Sequence, residues 1–159
     1  MAQEFITNEQ FTVVGISART SNRAEMAGGI IGKQWQRFMS EGLLQQIPNR
    51  VDENMISLYT DYESDVNGEY TFVIGAKVRT IDQLPTGMHP FDVPAGRYAK
   101  FTSDQGTVSN VVIGTWRHIW SATPEQLGGA RAYKADYEVY DERAKDPNEA
   151  IVDVFVGIK

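Results

Sequence analysis

The chain contains no cysteine. Disulfides, thiol nucleophiles and cysteine-bound zinc are therefore excluded from any account of how it folds or works. Histidine is almost as scarce, with only His89 and His118. A histidine-rich metal centre or a histidine-based triad is hard to build from two residues so placed, and no metal or cofactor is implied. His118 stands among Trp116, Arg117 and Ile119 on a predicted helix and reads as a surface or partly packed ring. His89 precedes Pro90 in a turn-rich stretch and reads as a loop residue. Basic residues are outnumbered, 15 Lys and Arg against 21 Asp and Glu, for a net charge of −6. That balance argues against a nucleic-acid partner, since phosphate binding needs a basic surface. No apolar run approaches the ~20 residues that a membrane-spanning helix requires. The opening MAQEFITNEQF lacks the basic-then-apolar order of a secretory signal. A soluble, cytoplasmic protein with no membrane partner is expected.

What is present is the composition of a globular domain: 159 residues, 42% apolar and 23% charged. Gln10 to Ser17, with FTVVGIS, reads as a strand, and Arg19 to Arg23 as a turn. Met26 to Gly42 carries Ile30, Trp35, Phe38 and Met39 at helix-like spacing, with Gly28 and Gly29 obscuring its start and Gly42 as its stop. Met55 to Tyr62 and Tyr70 to Val78 read as a strand pair joined through Asn67-Gly68. Leu84 to Pro90 reads as a linker. Arg97 to Thr102 is a strand, Val108 to Ser121 a helix that stops before Pro124, and Asp136 to Tyr140 a strand. Asp141 to Glu149 is a charged loop, and Ala150 to Ile158 the last strand.

The order strand, helix, strand, strand therefore occurs twice, and residues recur with it. Ile31-Gly32 matches Ile113-Gly114, and Gly75 with Lys77 matches Gly157 with Lys159, both 82 apart. Tyr59 and Tyr62 match Tyr137 and Tyr140, 78 apart. These matches predict one α+β domain over 1–159, built from duplicated βαββ modules at about 8–82 and 91–159. The expected fold is an antiparallel sheet with two main helices and a cleft at the pseudo-twofold interface, a natural ligand site.

Glu138, in DYEVY, is the most informative residue. Alternation puts Asp136, Glu138 and Tyr140 on one face of a strand. On the 78-residue match, Glu138 and Tyr140 correspond to Thr60 and Tyr62, so the duplication sets an acid where the partner module has a threonine. Aromatics are plentiful: three Trp, seven Tyr and seven Phe. Trp116 and Trp120 lie four apart on one helix face, a spacing that usually serves a core. Yet an indole N–H needs a partner when buried. Phe155 shares a strand face with Asp153 and Gly157, which suggests that the face is covered by ligand or by packing. A buried carboxylate among ring faces is a recipe for holding a hydrophobic cation.

FDVPAGRYAKF, Gly106, a helix with TWRHIW, DYEVY and a terminal apolar strand together resemble the gyrase-inhibitor-like effector-binding domain. This is the ligand-sensing domain attached to many AraC-type and MerR-type multidrug regulators. The resemblance spans nearly the whole chain and is strongest from Phe91 to Lys159. Within the group, the chain is similar to drug-binding modules encoded on integron gene cassettes. The resemblance implies two βαββ (SHS2-like) units around a central cleft, with Glu138 as the acid that meets lipophilic cations. It implies aromatic walls from Trp116 and Phe155, and from Tyr59 and Trp35 in the first half, with Tyr140 beside the acid. With a first strand starting near Gln10, no helix-turn-helix precedes it, so a stand-alone form is expected. The implied function is a sensor or sequestering module for a lipophilic cation, without direct nucleic-acid contact and with a separate regulatory protein as possible partner. Two alternatives stay open. Solitary members of the superfamily hydrolyse strained, cyclopropane-bearing genotoxins, for which Glu138 would be general base beside Tyr140 or Tyr59. Others bind gyrase or another protein through their surface.

Overall fold

The computed structural model describes residues 1–159. Eight strands form one sheet: β1 (Ala2–Asn8), β2 (Phe11–Ser21), β3 (Met55–Thr60), β4 (Glu69–Val78), β5 (His89–Val93), β6 (Gly96–Thr102), β7 (Arg131–Tyr140) and β8 (Asp153–Ile158). Their spatial order is β1-β6-β8-β7-β3-β4-β2-β5, and every neighbouring pair is antiparallel. The helices are α1 (Asn22–Met26), α2 (Ile31–Ser40), α3 (Leu43–Gln46), α4 (Val108–Ser121) and α5 (Pro124–Leu127), with a 3-10 turn at Glu142–Ala144. This is the expected α+β architecture. The units β2-α2-β3-β4 and β6-α4-β7-β8 meet along the β3–β7 pair.

Two strands depart from the sequence reading. β1 was hidden because one of its edges is free and most of its side chains are exposed, so apolar alternation is missing from it. β5 contains Pro90 and read as linker, but it is an edge strand, where a residue without N–H is tolerated. His89 is therefore an exposed strand residue rather than a loop residue. Each extra strand precedes one module and pairs with the outer strand of the other, β1 on β6 and β5 on β2.

Smaller corrections follow local chemistry. β2 continues through Arg19 to Ser21, where a turn was expected. The predicted 26–42 helix is two pieces, because Gly28 takes φ +90° after α1 and the chain restarts at Ile31. Ile30 is the N-cap residue of α2, and its apolar side chain cannot accept the free N–H groups. The Glu25 carboxylate does so instead, accepting the N–H groups of Ile30 at 2.9 Å and Ile31 at 3.0 Å. A Cβ on Gly29 would lie 2.1 Å from that carboxylate, which is why glycine stands there. β7 begins at Arg131, five residues before the predicted start.

The sheet curls strongly. Gly15 and Gly75 face each other across β2 and β4. A Cβ on Gly75 would sit 2.0 Å from the Val14 carbonyl oxygen, and one on Gly15 2.1 Å from that of Ile74. Backbones approach there as no side chain would allow. Three strand steps separate β2 from β7, ~14 Å in a flat sheet. The Phe11 and Tyr137 rings nevertheless meet at 5.3 Å. The face away from the helices thus closes on itself and buries Val13, Leu58, Val73 and Val93 without another layer. On the helix side, Phe38, Leu43 and Ile47 pack on Phe72 and Ile74, while Trp116 and Ile119 pack on Ala99, Phe101 and Val154. A cleft separates these two cores, above β3 and β7.

Candidate functional site

The β3–β7 register puts Ser57 opposite Glu138, Tyr59 opposite Asp136 and Met55 opposite Tyr140. Directly opposed residues share a face, so these six side chains lie on the cleft side. The repeat can be followed through the ladders. With Gly75 matched to Gly157, Phe72 corresponds to Val154, and their strand partners are Tyr59 and Glu138. The counterpart of Glu138 is therefore Tyr59, not Thr60. Thr60 lies opposite Ala135 on the other face, where its hydroxyl donates to the Lys134 carbonyl. The expected match of Tyr59 with Tyr137 fails likewise, since those rings are on opposite faces. The cause lies in the strand ends. Asp61 takes φ +50° after β3, and β7 carries a register shift between Arg131 and Asp136, so sequence spacing and structural equivalence part by one residue.

Glu138 is 1% exposed. One carboxylate oxygen accepts the Trp116 indole N–H at 2.7 Å and the Tyr59 hydroxyl at 2.8 Å, and the other accepts the Tyr140 hydroxyl at 2.5 Å. No basic side chain forms an ion pair with it. Ser57 Oγ, directly opposite, is buried with no partner of good geometry, although its hydroxyl still favours the ionised acid. Burial pushes the Glu138 carboxyl above the ordinary carboxylate range, and the bonds from Tyr140, Trp116 and Tyr59 pull it only part of the way back. Burial, with the neighbouring carboxylate, also holds the Tyr59 and Tyr140 phenols well above their usual value, so both stay protonated donors.

Asp136, two residues away, is the opposite case. It is fully buried but completely served: Arg131 Nη2 donates at 2.7 Å, the Tyr62 hydroxyl at 2.5 Å and the Gly157 N–H at 2.8 Å. One buried acid therefore has its cation and the other has none.

The cleft holds about 960 Å³ between α2 and α4. Trp35 of α2 meets Tyr140 edge-on at 4.7 Å. Tyr59 meets Trp116 edge-on at 5.5 Å, and Trp120, 44% exposed, extends the wall 6.1 Å from Trp116. Glu25, Asp65 and Arg131 are the charged lining groups. No three His, Asp or Glu side chains are placed to hold a metal ion. No helix is long and apolar enough to cross a membrane.

Of the residues singled out from sequence, the structure brings Trp35, Tyr59, Trp116 and Tyr140 together as cleft lining. Glu138 lies directly beneath them and is reached through its three donors. Phe155 is not brought to the site. It pairs with Tyr137 on the opposite face and stacks on that ring at 4.4 Å and 9°, so packing covers it, not the cleft. Sequence reasoning missed Tyr62, Tyr70, Tyr133, Arg131 and Trp120 as cleft lining. The four-residue step from Trp116 could have found Trp120. Nothing in the sequence signals Arg131 or Tyr133, whose places depend on the β7 register shift.

Comparison with known proteins adds four findings. The Cass2 family model, described as integron-associated effector binding protein, matches residues 4–158. The Bacillus subtilis (strain 168) protein YobU, which bears the name of a transcriptional regulator protein, is 37% identical over 150 residues, 91% of this chain and 90% of its own. Among solved structures, an integron cassette protein of Vibrio cholerae is 27% identical with a TM-score of 0.77, covering 99% of this chain and 95% of that one. SAV2435, solved bound to tetraphenylphosphonium, shares the fold at 17% identity, with a TM-score of 0.79 over 100% of this chain and 94% of that one.

Proposed function

The chain belongs to the integron-associated effector-binding protein family, and from that membership we propose that it captures a lipophilic, drug-like cation in the aromatic cleft, with Glu138 as countercharge. Glu138 carries the proposal, because it is a buried acid with donors but no cation. Keeping such a carboxylate from water costs several kcal/mol. A ligand cation in the cleft would offset that cost, and the ring faces of Trp35, Trp116 and Trp120 would add about 0.5–2 kcal/mol each. Glu25 and Asp65 at the cleft, against Arg131 alone, attract positive charge. That SAV2435 shares this fold and binds tetraphenylphosphonium supports the same ligand class here.

Capture serves sensing or sequestration in the cytoplasm. With a net charge of −6, the response passes to a protein partner rather than directly to nucleic acid. Hydrolysis with Glu138 as general base is disfavoured, because water must reach the carboxylate. The group is 1% exposed, and both oxygens accept bonds from the cleft lining.

Titration with tetraphenylphosphonium, followed by tryptophan quenching, tests the proposal. A cation brought to about 5 Å from the carboxylate at an effective dielectric of about 20 gains about 3 kcal/mol. Glu138→Gln should therefore weaken binding by about a hundredfold, while a neutral analogue such as triphenylphosphine oxide should not distinguish the two proteins. Equal tetraphenylphosphonium affinities would refute the proposal.

A further inference from the structure

A second cavity of about 510 Å³ adjoins the main cleft. The two share Val66, Trp120, Arg131 and Tyr133 as a partition. Beyond it, the second cavity runs over Ile119, Pro124 and Leu127 to Lys159. Arg131 lines both spaces, and its side chain is 11% exposed. Its guanidinium lies over the Tyr133 ring at 4.4 Å and 5.7 Å from that of Trp116. Nη2 is committed to Asp136. Nε, by contrast, is buried without any acceptor. Nη1 makes no hydrogen bond and, unlike Nε, is not enclosed, so on a residue that lines both cavities it is the donor a ligand atom can reach.

The partition is built rather than incidental. β7 has three more residues than its partner between Arg131 and Asp136. Within that excess, Tyr133 takes φ +51°, a conformation that a bulky residue adopts only when its surroundings impose it. The register shift thus sets Arg131 and Tyr133 over the mouth between the cavities. Trp116 stands between opposite charges, its indole N–H on Glu138 and its ring toward Arg131.

We propose that Arg131 is a specificity-determining residue. It favours those lipophilic cations that also carry a carbonyl-type acceptor, such as an ester or carboxylate, which its free Nη1 donor binds as the ligand's second arm crosses into the adjoining cavity. This rests on the cation reading of the cleft and goes beyond it by naming a second feature of the ligand. A guanidinium suits a carbonyl or carboxylate oxygen because its donors are planar and fixed. It also repels a second cationic centre on the same arm.

Two dyes separate the terms. Pyronin Y is a flat tricyclic cation without an acceptor arm, and rhodamine 6G is a similar cation bearing an ester-substituted phenyl ring. Wild type should bind rhodamine 6G at least about tenfold tighter than pyronin Y, the scale of one hydrogen bond from a charged donor. Arg131→Lys keeps the charge facing Asp136 but loses Nη1 and the planar fork. The double variant Arg131→Met with Asp136→Asn removes the buried pair together, so no lone charge is stranded. In both, the rhodamine 6G advantage should fall to about threefold or less, the remainder coming from apolar area on the phenyl ring. Because Arg131 lines the cleft, pyronin Y affinity shifts too, so the advantage is read as a ratio within each protein. Circular dichroism and a cooperative thermal melt show that each variant is folded. An advantage undiminished in the folded variants, or absent from wild type, overturns the role of Arg131 while leaving the cation site intact. Failure of wild type to bind either dye overturns both.

Discussion

Ionising Glu138 should weaken the unliganded protein, and a bound cation should reverse the sign. The folded carboxyl titrates above its ordinary value because burial outweighs its three hydrogen bonds. Unfolded, it titrates near 4.3. Its contribution to stability is therefore fully present below about pH 4.3 and is lost as pH rises through the folded value. Each unit of elevation corresponds to about 1.4 kcal/mol on the high-pH plateau. Desolvation outweighs what the bonds from Tyr140, Trp116 and Tyr59 return, so ionising the group costs the folded state stability.

In a chain of this length, 1 kcal/mol moves Tm by about 2–4 °C. Thermal melts of wild type and Glu138→Gln across pH 4 to 9 should therefore diverge by about 3–6 °C for each unit of elevation, wild type falling relative to the variant as pH rises and then running parallel. Saturating tetraphenylphosphonium stabilises the ionised carboxylate, so wild type should gain on the variant over the same window. Calorimetry in two buffers of different ionisation enthalpy should show proton release on binding, up to about one proton per site, in wild type only. Melts that stay parallel at every pH, with no buffer dependence of the binding heat, would refute the placement of Glu138 as an unpaired buried acid.

Two further outcomes follow from the same geometry. Trp120→Ala should weaken tetraphenylphosphonium binding by about 0.5–2 kcal/mol, while leaving the melting midpoint nearly unchanged because the side chain is 44% exposed; urea unfolding and ligand titration on the same sample check both halves. Gly75→Ala should destabilise by roughly 3 kcal/mol, because its Cβ would sit 2.0 Å from the Val14 carbonyl oxygen and the sheet must open there. An unchanged midpoint in urea would show that the β2–β4 contact has slack.

Local pattern carried much of this fold. The α4 span read from sequence coincides with the observed helix, because its apolar stripe and the following proline are local signals. β4 and β6 alternate or run apolar because they are buried, and they lie where composition put them, while β8 starts at Asp153, three residues after the predicted Ala150. Glu138 stood out as an acid in a predicted strand matched to Thr60, a match that the ladders replace with Tyr59. The edge strands were unreadable for the converse reason. β1 is mostly exposed and β5 carries a proline, so what makes them strands is a ladder to β6 or β2, more than 70 residues away along the chain.

The chain by itself determined the duplicated helix-and-strand units, the absence of thiol chemistry, and an acid set among aromatics. Only tertiary structure decided which aromatics surround that acid. A one-residue register difference makes Tyr59 rather than Thr60 its counterpart, and strand parity sends Phe155 to the far face. The same packing gives Asp136 an arginine and leaves Glu138 none, with identical carboxylates two residues apart on one strand. Whether a buried charge is neutralised depends on what other segments bring within a few ångströms, and no local pattern in the sequence encodes that distance.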